Sequence, residues 1–284
     1  MSKLRLMSQN QWNYTPNLPN WQELGLDCSA ETRMKGHIRV IKELMPDIIG
    51  GQEVNMHMQM YLKFYCLDEG LPYTQIWGHY TPLIYRADKL ELLDTEYLIY
   101  PEHVDGYDGT FNDVRSKSCN LGVFRTKEDG KVFIFATTHL WWKNGQDTSG
   151  SFYQAGSDEV RKLQIKMAME LISKYQQKYD NCPVVFVGDM NAKYDSLAIT
   201  CALQEGGFSH AHDVAVEYVQ EGIGYNGCGP KGPGTWKDKP FKHAIDHILV
   251  KDIPKDSVRR FDRYTPDYYL VLSDHAPVYI DIEL

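Results

Sequence analysis

Pro183-Val-Val-Phe-Val-Gly-Asp-Met-Asn191 carries a strand and a chemical signature in one stretch. Residues 184–187 are apolar at every position, the pattern of a strand covered on both faces. The run stops at Gly188-Asp189-Met190-Asn191, where a strand end hands polar groups to a loop. Side chains two apart on an extended chain share a face, so Asp189 and Asn191 point together and Met190 points away. That offers a carboxylate base and an amide donor to one reacting centre. Taken alone, the same four residues also read as a solvated turn, because Gly, Asp and Asn are common turn formers.

Outward from this stretch, strand-like runs recur at residues 4–9, 47–51, 81–86, 90–100, 121–125, 131–138, 183–188, 244–251 and 269–283. Helices are fewer. Met34, Ile38, Ile41 and Met45 fall at steps of four, three and four before Pro46, which predicts one amphipathic helix and its stop. Ser157 is placed to cap a second helix, with Asp158 and Glu159 in its first turn and Val160, Leu163, Met167 and Leu171 on its inner face. A third is expected over 196–205. The balance predicts an α/β fold with sheets buried beneath helices. No linker, charge block or repeat divides the chain, so residues 1–284 are read as a single domain. The glycine-rich stretch 222–234 is read as a surface loop.

Charged residues make up 24% of the 284-residue chain and hydrophobics 43%, which excludes disordered, collagenous and membrane-spanning classes. The formal net charge of −8 argues against sequence-blind coating of polynucleotides, which needs a basic face. Residues 1–10 lack the apolar core of a signal peptide, and no run is long enough to cross a bilayer, so a cytoplasmic location is the expectation. Cys28, Cys66, Cys119, Cys182, Cys201 and Cys228 are scattered and are read as reduced packing residues.

Polar groups at the ends of apolar strands repeat elsewhere: Ser8-Gln-Asn10, Gly51-Gln-Glu53, Thr137-Thr-His-Leu140, and Ile245-Asp-His247 with Ser273-Asp-His275. Their shared placement predicts that one sheet edge gathers carboxylates, amides and imidazoles. Asp246 lies on an apolar strand face and therefore needs a partner. His275 is the candidate, since a carboxylate on one imidazole nitrogen favours the charged ring and aims the other nitrogen outward. An ordinary buried ion pair remains the alternative. Glu53 suits a hard cation such as magnesium, with Asn10 and Asp274 able to complete the set; it could equally cap the following segment. No clustered His/Cys pattern supports structural zinc. Trp12, Trp141, Trp142 and Trp236 lie near these residues in sequence and could stack on a base, although core packing is expected for at least half of them. There is no phosphate-binding glycine loop, no G-x-S-x-G and no H-E-x-x-H, which removes the usual nucleotide-cofactor, serine-hydrolase and zincin readings.

In order, Ser8-Gln-Asn10, Gln52-Glu53, Thr138-His-Leu140, Gly188-Asp-Met-Asn191, Ile245-Asp246 and Ser273-Asp-His-Ala-Pro277 resemble the motif set of the endonuclease/exonuclease/phosphatase superfamily, the deoxyribonuclease-I-like fold. The resemblance spans residues 10–277. It implies a four-layered α/β sandwich, two mostly antiparallel sheets face to face with helices outside, and a phosphate-ester site at one edge that uses magnesium or manganese. It also implies roles. Glu53 would hold the metal, assisted by Asn10 and Asp274. Asp189 would orient and deprotonate water, Asn191 would hold the phosphate, His275 positioned by Asp246 would stabilise negative charge, and His139 would contact another phosphate oxygen.

Gly188-Asp-Met-Asn-Ala-Lys-Tyr-Asp-Ser196, Thr81-Pro-Leu-Ile-Tyr-Arg86, Phe111-Asn-Asp-Val-Arg115 and Val160-Arg-Lys-Leu-Gln164 are similar to the carbon-catabolite-repressor-type deadenylases and their bacterial relatives. On that likeness Arg115 and Arg161 would reach phosphate or brace the pocket, Arg161 also reading as a helix-surface charge. Arg115, Trp141 and Trp236 are the expected substrate contacts. Glu53 is followed by Val-Asn rather than the Thr-Lys of abasic-site endonucleases, and Asp246 by His-Ile rather than the Arg-Ile of inositol polyphosphate 5-phosphatases. The expected activity is hydrolysis of a phosphodiester or phosphomonoester, with a short nucleic acid among the candidate partners and no protein partner inferable. The rivals are a sugar, inositol or lipid-headgroup phosphatase and an inactive binding domain of the same fold.

Overall fold

The computed structural model describes residues 2–13, 25, 27, 29–218, 244–264 and 266–284. One sheet is built from β1 (Lys3–Asn10), β2 (Ile48–Gln52), β3 (Tyr73–Ile76), β4 (Leu83–Arg86), β10 (Glu217–Tyr218), β12 (Val258–Arg263) and β13 (Val278–Glu283), in the order β10-β12-β13-β1-β2-β4-β3. The other takes β5 (Leu90–Ile99), β6 (Ser118–Thr126), β7 (Val132–His139), β8 (Val184–Asp189), β9 (Ser209–His210) and β11 (Asp246–Lys251), in the order β5-β6-β7-β8-β11-β9. Most neighbours run antiparallel, but β1 with β2, β7 with β8 and β10 with β12 are parallel.

Strand alternation explains the layering. Val185 and Val187 of β8 pack with Leu4, Leu6, Ile48 and Ile280 of the facing sheet. Val184 and Phe186 point the other way, onto Ile165, Ala168 and Ile172 of helix α3 (Ser157–Lys178) and Ala198, Ile199 and Ala202 of α4 (Leu197–Gln204). Met7, Ile49 and Ile84 cover the far face of the first sheet, against Met34, Ile38 and Ile41 of α1 (Ala30–Leu44) and Met58 and Leu62 of α2 (Met56–Asp68). The result is the four-layered α/β sandwich expected, and the continuous apolar run of β8 is apolar because helices and a second sheet cover its two faces.

Local expectations were met unevenly. Ser196 caps α4 through its Oγ, which accepts the Ile199 N–H at 3.3 Å. The α3 cap is instead Gly156, at φ 79°, and the Ser157 hydroxyl donates to the Gln154 carbonyl. The inner face of α3 is also rotated from the expected one. Leu163 is 39% exposed, while Val160, Arg161, Gln164, Ile165, Ala168 and Ile172 are buried. Buried hydrogen bonds of Arg161 and Gln164 to the loop after β7 turn the helix this way.

The run 269–283 is not one strand. A 3-10 turn occupies Asp267–Val271, β13 begins only at Val278, and the intervening loop is tied by Ser273 Oγ donating to the Asn10 carbonyl at 2.8 Å. Helix α2 has no helical stripe in the sequence, because its apolar residues Met56, Met58, Met60, Leu62, Phe64 and Cys66 recur with the period of a strand. Asn55 starts that helix by accepting the Met58 N–H. Cys66, Cys119, Cys182 and Cys201 are free and buried, as packing residues should be. Cys28, Cys228 and the stretch 222–234 fall outside the described residues. Among the described residues no helix is long and apolar enough to cross a membrane.

At Gly188 the backbone of β8 lies tight against that of β7. Its φ is 155°, and a Cβ there would stand 2.1 Å from the Thr138 carbonyl oxygen. Replacing Gly188 by Ala should therefore destabilise the fold by about 2–4 kcal/mol through strain and backbone displacement. Equilibrium urea unfolding of the two proteins checks this.

Candidate active site

Register brings the polar strand ends together. Asn10 ends β1 opposite Gln52 at the end of β2, and Glu53 follows with a left-handed φ of 56°. In the second sheet His139 stands opposite Asp189, and Asp189 opposite Asp246. The 272–277 loop delivers Asp274 and His275 to the same edge.

Asp189 is the meeting point. Its Oδ1 accepts the Asn191 N–H at 3.0 Å and its Oδ2 accepts Asn10 Nδ2 at 3.0 Å. Asn10 Nδ2 also lies 3.2 Å from Glu53 Oε1, so one amide spans carboxylates from the two sheets. The oxygen of that amide accepts the Trp12 N–H. Asn10 thus presents its nitrogen to the carboxylates and orients them, whereas a metal ligand would present oxygen. The second oxygen of Glu53 accepts the Asn13 N–H at 3.0 Å. Asn191, at φ 46°, donates its side-chain amide to the Leu140 carbonyl, and Met190 is buried in the outer core, as alternation predicts.

His275 Nδ1 is 2.7 Å from Asp246 Oδ2, while its Nε2 is 3.8 Å from Asp189 Oδ2. Burial opposes a charged ring here, but Asp246, Asp189 and Asp274 outweigh it and hold His275 protonated well above the ordinary histidine range. Asp274 sits at the rim, and its packing against the site, with Glu53 and Asp189 nearby, lifts its carboxyl to about 6. His139 behaves oppositely. Burial, then the charge of Lys117 and of His275, drives its pKa well down, so the ring is neutral.

Lys117 was not foreseen. It is 4% exposed, and its Nζ lies 2.7 Å from His139 Nε2. Burial lowers its pKa against the pull of Glu53 and Asp189. It precedes β6 directly, and the pairing of Ser118 with His139 brings it to the site. The available signal was a lysine set immediately before the strand run Ser118-Cys-Asn-Leu-Gly-Val123.

Other expected contacts lie elsewhere. Trp141 is fully buried beside Phe111 and Val160, with its Nε1 donating to Gln154, and offers no stacking face. The neighbouring Trp142 is 37% exposed, and its Nε1 donates to Asp113 at 2.8 Å. Trp142, Asn144, Asp158, Asn191 and Lys193 help to line a pocket of about 460 Å³. Arg161 braces the pocket, donating to the Trp141 and Lys143 carbonyls and pairing with Asp158. Arg115 is exposed, and Trp236 lies outside the described residues.

Ligand atoms of Glu53, His139 and Asp189 lie within 4.8 Å of one another, and so do those of Asp189, Asp246 and His275. Converging carboxylate oxygens fit a hard divalent cation, which needs only one or two carboxylates and keeps several waters. His139 is the poorer ligand, because its Nε2 accepts from Lys117.

Residues 30–275 match the Endonuclease/Exonuclease/phosphatase family, and the chain belongs to it. A crystal structure of an endonuclease/exonuclease/phosphatase family protein from Bacteroides thetaiotaomicron is similar at TM-score 0.74 and 18% identity, covering 99% of this chain and 98% of that one. The mannosyl-6-phosphatase of Bacteroides thetaiotaomicron VPI-5482 is similar at TM-score 0.73 and 20% identity, covering 99% and 100%. An RNA exonuclease, NGL1, of Saccharomyces cerevisiae is 24% identical over 164 residues, which are 54% of this chain and 35% of that protein. The chain therefore matches about a third of the length of that curated relative.

The His275–Asp246 pair makes a titration prediction. In the metal-free protein the His275 ring should titrate above the ordinary value, and Asp246→Asn should lower that midpoint by removing the largest attraction while burial persists. Because the folded pKa is the higher one, the stability that His275 adds is complete below about pH 6.5 and fades as pH rises through the folded value. Imidazole NMR shifts across the pH range measure the direction.

Proposed function

We propose that this site hydrolyses phosphate esters with a bound magnesium or manganese ion. The observation that supports the reading best is the convergence on Asp189, pinned by Asn10 and by the Asn191 backbone, with the protonated His275 aimed at the same space. Glu53 would hold the metal, with Asp274 assisting from the rim. When bound, the ion would supply Lewis acidity and neutralise charge on the phosphoryl oxygens.

The residues of the chain divide the remaining work. Asp189 orients a water for in-line attack on phosphorus and accepts its proton. The Asn191 amide holds a phosphate oxygen. His275, kept charged and aimed by Asp246, stabilises the negative charge that builds as the bond to the leaving oxygen breaks. His139, being neutral, serves the phosphate together with its lysine partner and not as an independent cation.

A smaller phosphorylated substrate is a second reading, favoured by the pocket of about 460 Å³ beside Asn191. Its volume lies in the range of small-molecule sites, and one similar structure is a mannosyl-6-phosphatase. Short oligonucleotides that surpass small esters in kcat/KM would count against it. Calorimetry showing no divalent-metal binding, with no turnover, would instead support an inactive binding domain.

Screening generic phosphomonoesters and phosphodiesters with magnesium and manganese tests the main reading. Glu53→Ala and His275→Ala should each lower kcat/KM by about 10²–10³-fold, roughly 3–4 kcal/mol of transition-state stabilisation. Undiminished activity in both variants removes the site.

A further inference from the structure

Arg33 directs a buried guanidinium at backbone carbonyls. It stands in the first turns of α1, which Ser29 caps by accepting the Thr32 N–H, and it is 1% exposed. Its Nε donates to the Leu272 carbonyl at 2.9 Å, and one terminal nitrogen donates to the carbonyls of both Gln11 and Trp12. Gly36, one turn further on, lets the helix come this near, since a Cβ there would stand 2.4 Å from Leu272 Cδ2.

The three carbonyls belong to the two loops that carry the site. Trp12 holds a left-handed φ of 54°, a conformation that costs a bulky residue free energy and persists only where its surroundings fix it. Here it is fixed on both sides, because the Trp12 N–H donates to Asn10 Oδ1 while the Trp12 carbonyl accepts from Arg33. The next N–H along, that of Asn13, donates to Glu53 Oε2, so the angle at Trp12 decides how that carboxylate is steadied. On the other loop Leu272 precedes Ser273, whose Oγ donates to the Asn10 carbonyl and accepts the His275 N–H. Asn10, Trp12, Arg33, Leu272 and Ser273 thus close a ring of hydrogen bonds, with Glu53 attached to one side of it and His275 to the other.

We infer that Arg33 is a positioning residue for the reaction, one that holds the loop steadying Glu53 and the loop carrying His275 at a single spacing. The inference rests on the phosphate-ester reading above and deepens it. A planar guanidinium fixes the directions of its donors and can bridge two loops, whereas an ammonium is a point charge on a flexible stem. Lysine at this position would keep the charge and lose the bridge. Glu53 and His275 serve one phosphoryl group from two sides, so a change in their spacing is felt in the transition state more than in substrate capture.

Two readouts test this: turnover of 4-nitrophenyl phosphate and bis(4-nitrophenyl) phosphate with magnesium, and amide hydrogen exchange in the metal-free protein. Arg33→Lys should lower kcat about 10–100-fold while KM changes less than about threefold. Without metal, the Trp12, Asn13 and His275 N–H groups should exchange at least about tenfold faster, while the amides of β8 keep their protection. Arg33→Gln is the second variant should Arg33→Lys not fold, and it carries the same expectations. Met34→Ala, which opens a cavity in the core under the same helix, should lose as much melting temperature yet keep kcat within about twofold. Undiminished kcat in Arg33→Lys, loosening of one loop alone, or an equal loss of kcat in Met34→Ala overturns the inference and leaves the phosphate-ester reading standing. A chain that folds with neither lysine nor glutamine at this position marks a purely structural residue and overturns the inference as well. A wild type that hydrolyses no phosphate ester, while a control enzyme does, overturns the phosphate-ester reading and the role of Arg33 with it.

Discussion

Parallel pairing within each sheet determines where the chemistry lies. Parallel neighbours end on the same side, so β1 with β2 brings Asn10 beside Gln52, and β7 with β8 brings His139 beside Asp189. The two pairs then face one another across the sandwich. A polar link fixes their alignment just beneath the site: Gln52 Nε2 donates to Ser8 Oγ and to Thr137 Oγ1, the latter in the opposite sheet, at 2.8 Å. Close approach reinforces it, since Gly50 faces Thr137 and Val187 with no space for a Cβ. A slip of one residue in β8 would turn Asp189 into the outer core and Met190 into the site.

Charge is arranged in two unlike pairs around Asp189. His275 is a buried ring kept cationic by the carboxylates around it. His139 is a buried ring kept neutral by desolvation and a neighbouring ammonium. The same residue type therefore takes different protonation states at one edge, according to whether its nearest charged neighbour is a carboxylate or an ammonium. The acidic balance of the chain gains a local meaning here, because a site that gathers Glu53, Asp189, Asp246 and Asp274 accommodates a phosphate only with compensating positive charge.

What the sequence revealed follows from what is local. Strand-end polar residues, the α1 stripe and the Ser196 cap are encoded within a few positions of one another. The conformation of 272–277 depends on Asn10, more than 260 residues away, through Ser273. Lys117 becomes chemical only through a register set by a neighbouring strand, and its place before a strand run does not disclose that register. Trp141 and Trp142 show the same limit: after His139 the strand has ended, alternation no longer applies, and the hydrogen bond to Asp113 decides which ring is at the surface. Helix α2 was hidden for another reason, because its apolar residues repeat every second position while its buried ones follow a helical spacing.

Glu53, Val114, Arg115 and Asn191 all hold backbone angles that glycine would adopt more easily, each costing on the order of 1 kcal/mol or more. Glycine there would relieve strain but loosen the unfolded chain, two effects of similar size and opposite sign. Stability alone therefore supplies no drive toward glycine at these four positions, and at Glu53 and Asn191 the exchange would also remove the carboxylate and the side-chain amide held at this edge. The backbone here is strained where the polar groups hang from it, and relaxed where only packing is asked of it.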